Sequence, residues 1–477
     1  MKPPAGIVVS GSDGDLVRVA GLAEVQSGEL LALPGGERGW ALQLLRDSVL
    51  VARLGPRCSL RPGEAVLRQG RLLQLRTGPA LRGRIVDPLG NPLDDGPVPT
   101  GEPRSLLTGP LHPGGLLAPR EPLWTGVKPI DLLSPVRRGG CKALVGPARS
   151  GKTTLALTAI LNQRASGIRC VYVSIGQELG ALARLTALLR SRGALAHTTV
   201  VAATATAPLG VQVLAPLAGA VIAAACREAG EHVLLVQDDC ARQLAAARAL
   251  GAAAALSAGP RSQPVRWDGA ELLSRALAQV GALPAERGGS VTALAVHEPA
   301  TEQQASPWPS SWYEAESASA GCVVLRPRHG ALDALRLDLV RSSPLARSGG
   351  LLTGWGNKLV PLLQAYERLG TAHPDQKDGL VRQGGPIAQC AALHALLAQP
   401  PLQPVPVAEQ VAVLCAGLWG ALTEREPARL AAQEAALLEF LRAEQGALLA
   451  EIERCGGLRG PLRVELQEAL RRFVPPR

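Results

Sequence analysis

The pattern of apolar and polar positions changes twice along the chain. Over residues 1 to about 90, short apolar runs end in Gly, Pro or Asp, as in GIVVSGSDGDLVRVAG and GEAVLRQGRLLQL. Strands of this length, joined by such turns, are typical of a small β-barrel or sandwich. We therefore predict an N-terminal β-barrel over residues 1–90, followed by a turn-rich boundary at residues 83–97, GRIVDPLGNPLDDGP.

Residues 91–360 show a different pattern, in which strand-like runs alternate with helix-like ones. The clearest strands are nearly continuous apolar runs at residues 141–146, 170–176, 199–204, 232–239 and 290–298. Such runs indicate strands that helices cover on both faces, and so an α/β domain with a mainly parallel sheet. From residue 361 to 477 apolar residues recur at spacings of three and four, which predicts a C-terminal helical domain.

One stretch is long and apolar enough to resemble a membrane span. Residues 198–226 carry no charge, and a span needs about 20 residues. However, Pro208 and Pro216 interrupt the stretch. We expect a buried strand at 199–203, a loop, and a buried Ala-rich helix after Pro216, with the membrane span as the alternative.

Composition narrows the class of protein. The length of 477 residues predicts two or three domains. The net charge is +10, but the Arg residues are dispersed and have no interleaved aromatic residues, so we expect no nucleic-acid partner. The nine Cys form no C-x-x-C pair, which favours a reducing compartment without a cysteine metal site. The start, MKPPAGIVV, has no signal-peptide pattern, so we expect that the protein is not secreted.

The segment GPARSGKT at residues 146–153 matches the phosphate-binding pattern G-x-x-x-x-G-K-S/T. It follows a predicted strand and precedes the helix-compatible run TTLALTAILNQ, which is the context that this motif requires. Gly146 and Gly151 let the backbone turn its N–H groups toward phosphate oxygens, and the helix N-terminus adds its dipole. Lys152 then reaches the outer phosphates, and the Thr153 hydroxyl is a Mg²⁺ ligand.

We therefore expect ATP or ADP with Mg²⁺ as the ligand. The predicted nucleotide-binding residues are Gly146, Pro147, Ala148, Arg149, Ser150, Gly151, Lys152, Thr153, Thr154 and Gln177.

Two further strand ends bear on the chemistry. HVLLVQDD ends in Asp238, which we predict to hold the metal; the alternative is an Asp that caps a helix or turn. The strand CVYVSIG is followed by Gln177, whose amide can orient a water molecule but cannot take its proton. Glu178 is adjacent, but neighbouring side chains of a strand point to opposite faces. The pattern therefore predicts nucleotide binding without hydrolysis by this chain alone.

These residues together resemble the α subunit of F-type (rotary) ATP synthases. The resemblance is carried by EPLWTGVKPIDLLSPVRRGG, the phosphate loop, VYVSIGQELG, APLGVQVLAPLAG and HVLLVQDDCARQ. It extends into the barrel and into the helical tail at AEQVAVLCAGLWGAL. Alpha subunits carry Gln in the I-G-Q context found here, where catalytic relatives have Glu.

The resemblance implies a small β-barrel, a P-loop (RecA-like) α/β domain and a helical C-terminal domain. It implies a subunit that binds Mg-ATP without turnover and alternates with β-type subunits in a hexameric ring around a central stalk. It also implies a proton-translocating, peripheral membrane complex facing the bacterial cytoplasm or an organelle matrix. The run LRLDLVRSS would place Arg341 at the β partner's catalytic site as an arginine finger; the alternative is a surface Arg near a strand end.

The chain also departs from the family pattern, which makes it a divergent member. The departures lie at GPRSQPVRWDGAELL, TEQQASPWPSSWYEAESASAG and YERLGTAHPDQKDG. They leave two alternatives open. One is a degenerate paralogue that acts as an assembly or scaffold protein, and the other is a self-sufficient ATPase motor that uses Glu178 as its base.

Overall fold

The computed structural model describes most of the chain. The described residues are 5–10, 14–55, 59–107, 115–117, 121–258, 269–284, 286, 288–299, 320–325, 337–338, 356–372, 381, 385–422, 427–458 and 460–474. The chain forms two compact units. Unit 1 comprises Met1–Pro119, Gly139–Cys141 and Gly167–Glu314, and unit 2 comprises Arg120–Arg138, Lys142–Ser166 and Ala315–Arg477.

Unit 1 begins with the predicted β-barrel. Six antiparallel strands close it in the order β1-β2-β5-β4-β3-β6, namely β1 Ala5–Ser10, β2 Leu16–Ala20, β3 Glu29–Ala32, β4 Arg38–Leu44, β5 Ser48–Arg53 and β6 Ala65–Leu72. Val8 is buried, whereas its neighbours Ile7 and Val9 are about half exposed, at 51% and 49%. This alternation is the expected consequence of a barrel wall with one packed face. The prediction of an N-terminal barrel is confirmed.

The second part of unit 1 contains a parallel sheet. Its strand order is β17-β15-β13-β14-β8, with β8 Ile85–Val86, β13 Arg169–Gln177, β14 Thr198–Thr204, β15 His232–Asp238 and β17 Ser290–His297. All pairs in this order are parallel, and in their register Ser174 lies opposite Asp238. The short strands of unit 1 outside it are β7 Gln74–Thr77, β9 Glu102–Ser105 and β16 Gly281–Ala282. The predicted parallel sheet is therefore confirmed, and the turn-rich run at 83–97 contributes its β8 strand.

Four helices accompany this sheet: α3 Leu179–Ser191, α4 Leu209–Glu228, α5 Cys240–Ala258 and α6 Gly269–Leu277. One expectation was wrong, since α4 begins at Leu209 and contains Pro216, whereas we predicted a helix only after this proline. Pro216 removes one N–H donor, but most α4 side chains are buried against the core, and this burial outweighs the loss. Asp15 of the barrel region also supports the start of α4, because its Oδ1 accepts a hydrogen bond from Leu209 N at 3.1 Å.

Helix α4 is also the helix, among the described residues, that is long and apolar enough to cross a bilayer. In this fold 78% of its most apolar window is buried inside the protein. It therefore has the burial expected of a core helix covered by a parallel sheet.

Unit 2 contains the helical C-terminal region that we predicted. The helices among its described residues are α1 Lys128–Leu133, α2 Lys152–Asn162, α7 Gly356–Ala372, α8 Pro386–Leu396, α9 Val407–Leu418, α10 Pro427–Glu444, α11 Gly446–Cys455 and α12 Pro461–Arg472. Its strands are β10 Pro122–Leu123, β11 Val136–Arg137, β12 Cys141–Val145, of which Cys141 belongs to unit 1, β18 Ala320–Leu325 and β19 Leu337–Asp338. Strand β12 neighbours β18, which pairs with β19.

A buried carboxylate organises the segment before α2. Asp131 is fully buried, and its Oδ1 accepts hydrogen bonds from Thr125 N at 2.9 Å and Thr125 Oγ1 at 2.6 Å. Its Oδ2 accepts from Gly126 N at 2.8 Å and from Gln410 Nε2, in α9, at 2.9 Å. Burial raises the pKa of Asp131 to about 6, because the loss of hydration raises this pKa more than the hydrogen-bond donors lower it. The carboxylate thus joins the turn at residues 125–126 to a helix of the C-terminal region.

The same segment holds the end of α2. The side-chain amides of Asn162 and Gln163 both donate to the backbone oxygen of Trp124, at 2.9 and 2.7 Å. On the other side, Gln399 Nε2 donates to Gly126 O at 2.7 Å. The helix that follows the phosphate loop and the C-terminal helices are therefore anchored on one short piece of chain.

We predict that Asp131→Ala destabilises the protein strongly. The substitution leaves several buried donors without an acceptor, and each such donor costs about 1–3 kcal/mol, so the loss should exceed about 3 kcal/mol. Chemical denaturation of the full-length chain measures it. The control is Glu451→Ala, which removes a carboxylate whose side chain is 41% exposed and should leave the denaturation midpoint unchanged. Equal midpoints for the two variants would contradict the role given to Asp131.

Candidate functional site

The phosphate loop lies between a buried strand and a helix. Every residue of β12 is buried, the loop occupies residues 146–151, and α2 begins at Lys152. Arg149 and Gly151 have positive φ values, of 60° and 97°, which turn the backbone sharply into the helix. Gly151 also provides no side-chain cap for the first N–H groups of α2. These groups have no intrahelical acceptor, so the helix start suits an anion.

Gly146 is required by the space inside the loop. A Cβ atom at this position would lie 2.7 Å from Ser150 Oγ and 3.0 Å from the backbone oxygen of Leu325. Ser150 Oγ is itself buried and has no hydrogen-bond partner within the described part of the chain. The loop therefore encloses the Ser150 hydroxyl close to its own backbone at Gly146, which leaves no room for a side chain there.

Lys152 lies back over this loop. The side chain is buried, and its ammonium group donates to Gly146 O at 2.8 Å and to Pro147 O at 2.6 Å. Ala148 and Arg149 are exposed, whereas Thr153 and Thr154 are half-buried at the start of α2. The predicted loop residues thus come together as one turn that offers an ammonium group, hydroxyl groups and backbone donors to an anion.

In unit 1, the end of β15 carries two buried carboxylates with different partners. Tyr172, in β13, donates its hydroxyl to Asp238 Oδ2 at 2.7 Å, and both residues are buried. Burial, and next the charge of Asp238, raise the pKa of Tyr172 well above its usual value, so the phenol stays protonated. Asp239 Oδ1 instead accepts from Ala241 N at 2.7 Å, at the start of α5. The capping role that we considered for Asp238 is therefore filled by Asp239.

Gln177 ends β13 beside Asp238. Its Nε2 donates to the backbone oxygen of Asp238 at 3.3 Å, and the side chain is half-buried. Glu178 is exposed and lies outside the strand, where its backbone oxygen accepts hydrogen bonds from Ala181 N and Leu182 N at the start of α3. The two predicted strand-end residues are thus in contact, while Glu178 has a different environment.

Tyr172 was not among the predicted site residues. Its signal was a hydroxyl-bearing residue within the apolar run CVYVSIG, in a chain with three tyrosines. The predicted arginine finger, Arg341, lies outside the described residues, as do most of the departures from the family pattern. The phosphate loop belongs to unit 2, and Gln177 and Asp238 belong to unit 1.

The donor types fit Mg²⁺. Each unit carries an oxygen donor of the kind that Mg²⁺ prefers, namely the Thr153 hydroxyl in unit 2 and the Asp238 carboxylate in unit 1. Across the described ranges there is no group of three or more His, Cys, Asp or Glu side chains that could hold a metal unaided.

Comparisons with known proteins identify the family. Residues 126–326 match the family described as the ATP synthase alpha/beta family, nucleotide-binding domain. Residues 384–473 match the ATP synthase alpha/beta chain, C terminal domain. The chain is 33% identical to the ATP synthase subunit alpha of Alcanivorax borkumensis over 98% of its own length and 93% of the relative.

Two other curated relatives have the same coverage. The chain is 32% identical to the ATP synthase subunit alpha of Sodalis glossinidius, and 33% identical to that of Yersinia enterocolitica. Both alignments span 98% of this chain and 93% of the relative. The chain therefore belongs to the ATP synthase alpha/beta family, as an alpha-like protein of the F-type ATP synthases.

Proposed function

We propose that this chain is a non-catalytic, nucleotide-binding, regulatory α-type subunit of a rotary proton-translocating ATP synthase. It binds Mg-ATP or ADP and completes the catalytic site of a β-type partner. The observation that carries the proposal is Gln177, an amide at the end of β13 that donates to the backbone oxygen of Asp238. Catalytic relatives that the sequence resembles have a carboxylate at this place.

Nucleotide binding rests on the phosphate loop. The N–H groups at the start of α2 and the helix dipole stabilise negative charge, and Lys152 adds a full positive charge. Its ammonium group is bonded to two carbonyl oxygens of the loop, and these are contacts that a phosphate can replace. Thr153 and Asp238 would hold Mg²⁺, which neutralises part of the phosphate charge.

The absence of turnover follows from the roles of the nearby carboxylates. Hydrolysis needs a group that takes a proton from the attacking water, and an amide does not. Asp238 is bonded to Tyr172, Asp239 caps α5, and Glu178 is exposed beyond the strand. Gln177 therefore leaves the site with a nucleotide that is bound and not consumed.

The proposed assembly follows the relatives, which are named ATP synthase subunit alpha. We infer an alternating hexameric ring with β-type subunits around a central stalk subunit, attached peripherally to a membrane. The ring faces the bacterial cytoplasm or the matrix side of an energy-converting organelle. The inferred domains are the barrel at 1–90, the nucleotide-binding domain at 91–360 and the helical domain at 361–477.

We predict that Lys152→Ala weakens ATP binding by about 10–100-fold, the effect of losing a charge-assisted hydrogen bond. Calorimetric titration of the full-length chain with Mg-ATP measures it. The control is Arg164→Ala, which removes an exposed cation shortly after α2 and should bind ATP like the unaltered chain. Equal affinities for the two variants would argue against a phosphate site at this loop.

The purified chain should release no phosphate from ATP above the background rate, because no group at the end of β13 serves as a base. A coupled phosphate-release assay with excess Mg-ATP tests this. Sustained turnover that Glu178→Gln abolishes would replace the proposal with the self-sufficient motor.

In the complex assembled with its β-type partner, we predict that Arg341→Ala slows ATP hydrolysis by about 10³–10⁵-fold, as for an arginine finger. The nucleotide bound to this chain should be retained, as measured by its content after gel filtration. The matched control is Arg336→Ala, in the same run LRLDLVRSS, which should leave the rate unchanged. If Arg341→Ala is as active as this control, the finger is another residue.

A further inference from the structure

The hydroxyl of Tyr172 donates a hydrogen bond to the carboxylate of Asp238. Tyr172 lies within β13, Asp238 ends the neighbouring parallel strand β15, and the two polar atoms are 2.7 Å apart. Tyr172 is fully buried and Asp238 is 2% exposed. The bond therefore joins a neutral donor to a carboxylate in a place where neither exchanges readily with water.

This hydrogen bond fixes the orientation of the Asp238 carboxylate. The side chain of Asp238 has a broad torsional preference at its terminal bond, and a donor at one oxygen selects one orientation. Metal-binding carboxylates are commonly held in this way by an outer donor, and removal of that donor typically weakens metal binding by about 10–100-fold. Tyr172 is placed to have this effect on Asp238.

The backbone of Asp238 is held from the same strand. Gln177 Nε2 donates to Asp238 O at 3.3 Å, so β13 provides a donor for the side chain and another for the main chain of this residue. A Glu at position 177 offers no donor at neutral pH and would bring a negative charge to this carbonyl oxygen. The amide of Gln177 therefore has a structural role, since it holds the backbone of Asp238, in addition to being unable to act as a base.

We propose that Tyr172 is a positioning residue that orients the carboxylate of Asp238 and thereby sets the affinity of this carboxylate for Mg²⁺. The proposal rests on the proposed function, since it assumes that Asp238 serves Mg²⁺ bound with ATP. Tyr172 acts through Asp238 and is itself buried away from solvent. Its loss should therefore affect metal-dependent binding alone.

The test compares ATP binding by full-length Tyr172→Phe with and without metal. Calorimetric titrations are made in excess Mg²⁺ and in excess EDTA. We expect the dissociation constant for ATP in Mg²⁺ to rise by about 10-fold or more, and the constant in EDTA to stay within about twofold. Tyr366→Phe, which removes the hydroxyl of a tyrosine in unit 2, is the control and should change neither constant.

The possible failures are distinguishable. An equal loss of affinity in Mg²⁺ and EDTA would show that Tyr172 is merely structural, and no change in either would show that it has no role; both overturn the inference. If the unaltered chain binds ATP equally well in Mg²⁺ and EDTA, the metal role of Asp238 fails while nucleotide binding stands. If it binds no ATP at all, the proposed function fails with the inference.

A second measurement avoids the substitution at position 172, in case Tyr172→Phe does not fold. The chain has three tyrosines, so replacement of all of them by 3-fluorotyrosine gives a simple fluorine NMR spectrum. Resonances are assigned with Tyr313→Phe and Tyr366→Phe. The Tyr172 signal should shift when Mg²⁺ is added to the ATP-bound chain and return on addition of EDTA. A Tyr172 signal that is indifferent to Mg²⁺ would overturn the inference.

Discussion

The buried carboxylate of Asp131 is the interaction on which unit 2 most depends. A charge without water is tolerated only where hydrogen bonds replace its hydration, and Asp131 receives two backbone N–H groups and two side-chain donors. The backbone donors fix the turn at residues 125–126, and Gln410 ties this turn to α9. The side chains of Asn162 and Gln163, at the end of α2, donate to the backbone oxygen of Trp124, the residue before this turn. The position of α2, the helix that follows the phosphate loop, therefore depends on the turn that Asp131 stabilises.

In unit 1 the corresponding constraint is the parallel sheet. The carboxyl ends of neighbouring parallel strands lie at the same edge of a sheet, and α/β folds bind their ligands at this edge. Gln177 and Asp238 end β13 and β15 at this edge, and Tyr172, from the middle of β13, reaches the Asp238 carboxylate with its hydroxyl. The acidic groups there have separate tasks, since Asp239 caps a helix and Glu178 is exposed.

Much of this fold was predictable because a strand that is buried on both faces of a sheet has an almost continuous apolar sequence. The runs CKALV and HVLLVQD are nearly continuous apolar segments, and the strands that they form end within a residue or two of the prediction. The phosphate loop was predictable for another reason, since its glycine spacing reflects local backbone geometry. Helix α4 was misplaced because a proline is a local signal, and burial of the surrounding side chains overrode it.

The unpredicted contacts are those that join distant parts of the chain. Asp131 and Gln410 are 279 positions apart, and Tyr172 and Asp238 are 66 positions apart. Their pairing depends on helix packing and strand order, which local patterns do not contain. Sequence periodicity therefore revealed which residues are buried, and the fold was needed to show which polar groups meet.

Assembly with a β-type subunit tests the central claim most directly. The two chains would be co-expressed and purified through a tag on the β-type chain, and the mass and bound nucleotide of the product measured by native mass spectrometry. The account predicts a six-membered ring with equal numbers of both chains and nucleotide retained on this chain during turnover. Recovery of the tagged β-type chain without this chain, together with ATP hydrolysis by this chain alone, would contradict it.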